Sequence, residues 1–147
     1  MLGGLDPDRD GVPRYEQDRF IPTIVHEFNH SYVNPLVERH REAFRLAGEH
    51  IFSRLESNMT RWGYNHWYVM INEYLVRAGT IRYLRTREGR RAARRNISRD
   101  ERAGFPQIGD LADLLSEYES DRERYPDLEA FLPRIVAFFD EMAEEMD

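Results

Sequence analysis

The chain contains no cysteine. Disulfides and thiolate metal sites are therefore excluded, and any bound metal must be held by histidine and carboxylate ligands. The lack of cysteine leaves the compartment open. Lysine is missing as well: all 21 basic residues are arginine, which we read as a compositional bias without functional meaning. No stretch stays apolar for the roughly 18 residues that a membrane span requires. Met1-Leu-Gly-Gly-Leu-Asp-Pro-Asp8 lacks the basic and apolar regions of a signal peptide. No convincing alternating strand pattern is present, so the fold class expected is mainly α. The net charge of −6 argues against a general nucleic-acid binder.

The 147 residues, 41% of them apolar, suffice for one domain with a sizeable core. We divide the chain into a flexible Gly-, Asp- and Pro-rich segment over 1–14 and one helical domain over 15–147. Spacing of apolar residues predicts about five helices. The first spans 18–33, with Pro22 in its first turn and Asn34-Pro35 as its stop. Its buried flank is Ile21, Ile24, Val25, Phe28 and Tyr32. A second helix starts at Pro35 and carries Val37, His40, Phe44, Ala47, Ile51, Leu55 and Met59 to a turn over 58–63. A third, strongly apolar helix covers 65–87. Two amphipathic helices, over 107–124 and 127–145, close the chain, with Asp127 at a cap. Between them and the third helix, Arg85 to Arg102 holds eight arginines against three acidic residues. This run is expected to be a solvated face or loop. The region from Gln107 onward is acidic and is a candidate to lie against it.

Within the first helix, residues 26–30 read His-Glu-Phe-Asn-His. Four residues apart on a helix, His26 and His30 project from one face, which suits two ligands of a tetrahedral Zn²⁺. Glu27 stands where a carboxylate can reach metal-activated water without ligating the metal. Two core histidines around a chance glutamate is the plainer reading. A catalytic zinc site needs a third protein ligand, and the candidates are His40, His50, His66 and several glutamates. Glu73 is the best of them, because a carboxylate inside the apolar run Ile71-Asn-Glu-Tyr-Leu-Val-Arg-Ala78 is costly unless paired or metal-bound. An ion pair between Glu73 and Arg77 is the competing account, and the two are compatible if Arg77 holds a ligating Glu73. His66, Met70, Glu73 and Arg77 share a helix face. His66, Tyr68 and Arg77 are the candidates to steady an oxyanion. His40 is expected to be a satisfied boundary histidine, and His50 receives no role. Asp6-Pro-Asp-Arg-Asp-Gly11 matches half a calcium loop, but Gln17 stands where the bidentate glutamate belongs; an acidic turn suffices.

Thr23-Ile-Val-His-Glu-Phe-Asn-His-Ser-Tyr-Val-Asn-Pro-Leu36, with Asn72-Glu-Tyr-Leu-Val-Arg-Ala78 downstream, resembles an uncharacterised bacterial family of predicted gluzincin-type metallopeptidases. That family is classed as a domain of unknown function and carries an H-E-F-x-H-S-x-V-N-P signature. The closing segment from Tyr125 to Phe139 is similar too. The resemblance implies a zincin-like helical domain with His26, His30 and Glu73 as zinc ligands, Glu27 as general base, and a peptide or protein as substrate. Metallopeptidases of this motif hold substrate against a sheet edge. A chain that starts a dozen residues before its motif helix is compatible with a fragment whose β-sheet subdomain, and whose export signal, lie upstream. The metzincin extension is absent, and 42 residues separate His30 from Glu73. The alternative to a peptidase is a catalytically silent, zinc-stabilised helical binding module. Oligomeric state and cleavage specificity are not legible.

Overall fold

The computed structural model describes residues 6–7, 13–14 and 17–147, with side chains from Phe20 onward. A two-residue antiparallel pairing, β1 (Asp6–Pro7) with β2 (Pro13–Arg14), sits in the segment expected to be a loop. The half-matched calcium loop and the expected flexibility of 1–14 lie largely outside the described residues. From Gln17 the described chain is helical and single-domain: α1 (Gln17–Arg39), α2 (Arg41–Arg61), α3 (Trp67–Arg87), α4 (Arg90–Arg102), α5 (Ile108–Ser120) and α6 (Leu128–Glu145). No helix among the described residues is long and apolar enough to cross a membrane.

Helix α3 is the axis around which the others assemble. Trp67, Met70, Ile71, Tyr74, Leu75, Val76, Ala78, Ile81 and Leu84 are all buried, which covers most of its circumference, and it packs against α1, α2, α4 and α5. A helix apolar on nearly all sides must be enclosed. Helix α6 lies on α2 and α5, and Phe139 joins Phe44 and Tyr74 in edge-to-face contacts with centroids 5.9 and 5.7 Å apart. The Tyr74 hydroxyl donates to the Pro106 carbonyl at 3.2 Å. Asp127 caps α6 as expected, its Oδ1 accepting from the Ala130 amide at 2.8 Å.

Several sequence expectations are corrected. Asn34-Pro35 does not end the first helix; α1 runs through both Pro22 and Pro35 to Arg39. An interior proline forfeits one backbone bond and strains the turn before it. Here the orphaned Ser31 carbonyl belongs to an exposed residue and can turn to water. Burying Val33, Leu36 and Val37 on either side of the proline offsets the loss, at about 1.5–3 kcal/mol for each large aliphatic group. The break falls instead at His40, whose φ of −111° and ψ of 24° leave the helix before α2 begins.

The expected buried flank of α1 is also wrong in part. Ile24, Phe28 and Tyr32 are 49%, 59% and 64% exposed. Their spacing is helical, but α1 turns Asn29, Val33, Leu36 and Val37 inward instead. The inner face at the motif is polar because its side chains have polar partners on α3: the Asn29 amide donates to the Val76 carbonyl and to the Thr80 hydroxyl, each at 3.3 Å.

Of the two expectations for the arginine run, the solvated face holds and the loop does not. The run forms α4, opened by Gly89 at φ 87°. Ala92, Ala93 and Asp100 are buried and Ile97 is packed against the core, while Arg90, Arg91, Arg94 and Arg95 are exposed. That makes six helices among the described residues where about five were expected. Helix α2 also extends to Arg61, so the turn expected over 58–63 shrinks to its last residues. The arginine-rich and acidic regions do meet, through Arg85 and Asp113.

Candidate metal centre

Helix α1 supplies His26 and His30 from adjacent turns, and α3, packed alongside, supplies Glu73. The two imidazoles have centroids 5.0 Å apart at 78°. His30 Nε2 lies 3.2 Å from Glu73 Oε1, and His26 Nε2 lies 3.7 Å from Glu73 Oε2. Nitrogen and oxygen ligands at about 2.0–2.1 Å from one tetrahedral zinc stand roughly 3.3 Å from each other. One donor atom from each of the three residues falls within a mutual 4.8 Å, so the cluster fits a single ion with small side-chain adjustments. Both rings are half-buried and Glu73 is 5% exposed.

His30 and Glu73 each have a partner outside the cluster that fixes them. His30 Nδ1 is 3.1 Å from Asn34 Oδ1; an N–H donated there leaves the Nε2 lone pair aimed at Glu73. Glu73 Oε2 accepts from the Tyr64 hydroxyl at 3.0 Å and from Arg77 Nε at 3.2 Å. The Arg77 guanidinium is held in turn. It donates through one terminal nitrogen to Asp100 Oδ1 at 2.9 Å and through the other to the Tyr64 oxygen at 3.1 Å, and it lies 4.4 Å above the Phe105 ring. Burial disfavours the charge on Arg77, but Asp100, Tyr64 and Glu73 outweigh it and hold the group above its ordinary range. Burial, then Glu73, pushes the Tyr64 phenol up. Burial holds the His26 imidazole below the ordinary histidine value, against the opposite pull of Glu73.

Glu27 is exposed beside His26. Thus His26, His30, Glu73 and Arg77 come together, with Glu27 at the margin. His66 and Tyr68 are engaged elsewhere. His66 opens α3, its Nδ1 accepting from the Tyr68 amide at 3.3 Å, and the Tyr68 ring lies under the Arg41 guanidinium at 4.6 Å. Among the described residues no hydrogen bond or ring contact joins either to the cluster. His40 is a satisfied boundary histidine, 2.7 Å from Glu129 Oε1, and His50 pairs with Asp147.

Sequence reasoning missed Tyr64, Asp100 and Asn34. Tyr64 lies in the turn before α3 and carries no periodic signal. Asp100 had one: Ala93, Ile97 and Asp100 recur at helical spacing within the arginines, a buried stripe that marks the lone aspartate as inward-facing.

The family model described as a domain of unknown function (DUF4932) matches residues 13–138. The chain belongs to that family. No curated protein and no solved structure matches it. The DUF4932 span contains every residue of the cluster and of the shell that holds it, and it ends within α6.

Proposed function

We propose that this chain is a zinc-dependent metallopeptidase. The observation that carries the reading is the convergence of His26 and His30 with Glu73, which lies 3.2 Å from the His30 ring nitrogen, while Glu27 of the same motif remains exposed. Histidines and a carboxylate without thiolates suit Zn²⁺ as a catalytic ion with one position left for water. Zinc held by the three residues would lower the pKa of water towards about 7 and polarise a scissile carbonyl. Glu27 takes a proton from the attacking water and delivers it to the leaving amine, so that water adds across the amide as the C–N bond breaks. Arg77 acts on Glu73 through its Nε, its terminal nitrogens being committed to Asp100 and Tyr64. The substrate is a peptide or an unfolded protein.

The test is elemental analysis combined with a Glu27→Gln variant, both on protein purified without metal-affinity resin. The expected result is about one zinc per chain in each protein. Cleavage of an unfolded substrate such as casein should fall by about 10²–10⁴-fold in the variant. Stoichiometric zinc with no cleavage by the wild type would favour the silent binding module. Full activity in the variant would remove Glu27 from its role.

A further inference from the structure

Resting on the metal reading above, we infer that Asp100 and Tyr64 are positioning residues that make Glu73 a one-oxygen ligand. The carboxylate has two oxygens with different surroundings. Oε2 accepts from both the Tyr64 hydroxyl and Arg77 Nε, while Oε1 is the atom nearest the His30 ring nitrogen. Two donors on one oxygen draw its electron density away and pin the plane of the group. Oε2 also lies 3.7 Å from His26 Nε2, but it is the oxygen already engaged by two donors, so Oε1, which has neither, is the one presented to the ion. A second bond through Oε2 would require Glu73 to rotate and give up both donors.

Arg77 can hold this position only because it is itself held. Its side chain is flexible by nature, but here each nitrogen has one partner, and its terminal contact to Asp100 anchors α3 to α4. Asp100 is 2% exposed and also accepts from Arg99 at 3.3 Å. A carboxylate so deeply buried needs such compensation. The arginine-rich helix therefore reaches the candidate metal through Asp100, Arg77 and Glu73 in sequence, without touching the ion. A one-oxygen Glu73 leaves the remaining vertex of a tetrahedral ion to solvent or substrate, which is the arrangement a hydrolytic site requires.

The test is a titration of metal-free full chain with Co²⁺, whose visible bands report coordination number, followed by displacement with Zn²⁺. Tyr64→Phe deletes a single oxygen from a half-buried ring and should fold. Asp100→Asn keeps the shape but removes the charge that anchors Arg77, and Asp113→Asn is a surface control of equal charge change. We expect Tyr64→Phe and Asp100→Asn each to weaken binding by about 10–100-fold. Their bands should lose the tetrahedral signature as Glu73 swings towards two-oxygen contact, while the Asp113 variant matches wild type. Wild-type affinity and spectra in the Tyr64 variant would overturn the inference while leaving the metal site intact. If the wild type binds neither ion, the metal reading falls and the inference with it.

Discussion

His26 has a titration set mainly by burial, which holds its imidazole below the ordinary histidine value. A proton therefore binds the unfolded chain more readily than the native one. The stability this represents is complete above the ordinary value of about 6.5 and is lost as pH falls through the lower native value. In chelator, urea midpoints should decline from pH 7.5 to 5, and His26→Gln should flatten that slope; an unchanged slope would mean that other groups cause it. Asp100 responds differently. Truncation to alanine would strand the Arg77 charge with fewer partners, at a cost of about 3–5 kcal/mol, measurable by chemical denaturation. A loss under 1 kcal/mol would show that water reaches Arg77. The residues legible in the sequence are those whose chemistry conflicts with their local pattern: His26 and His30 at one spacing, Glu73 in an apolar helix, Arg77 one turn on. Tyr64 meets Glu73 across a turn, and only the fold brings the two together.

At the level of elements, helical periodicity located helices more reliably than it located their faces. Ile24, Phe28 and Tyr32 have the spacing of a core stripe, yet α1 packs through the neighbouring stripe because its polar inner side chains have partners on α3. The distinction is measurable. Phe28→Ser should change unfolding free energy by no more than about 0.5 kcal/mol, whereas Leu36→Ala should cost about 2–5 kcal/mol. Equal effects would restore the face expected from sequence. Close approach between elements is also concealed from pattern reading. Gly48 on α2 admits the Trp67 ring, and a Cβ built there would stand 2.6 Å from Trp67 Cε3. We expect Gly48→Ala to destabilise by about 1–3 kcal/mol despite its better helix propensity; a stabilised variant would show that Trp67 moves aside freely. Helix α4 was overlooked because its outward arginines dominate the composition, although its inner stripe has a helical period.

For the molecule as a whole, an ion linking α1 to α3 would bind the native state and not the unfolded chain. Zinc at a hundredfold excess over its dissociation constant then contributes about 2.7 kcal/mol. At roughly 2–4 °C per kcal/mol for a domain of this size, chelation should lower the melting midpoint by about 5–10 °C, and added zinc should restore it where sodium and magnesium salts do not. A midpoint indifferent to chelator would argue against a resident ion. The all-helical architecture was legible because its core residues recur at three- and four-residue steps along most of the chain. The enclosure of α3 by four neighbours was not, since it depends on which faces meet.

Helix α4 offers a practical opening. Its outer arginines, Arg95 among them, face water, while the inner side of the same helix ends at Asp100. Since the polypeptide has no lysine of its own, Arg95→Lys would install a unique side-chain amine. A fluorophore or surface tether attached there would sit one helix away from the candidate zinc ligands, and could report events at Glu73 without touching them.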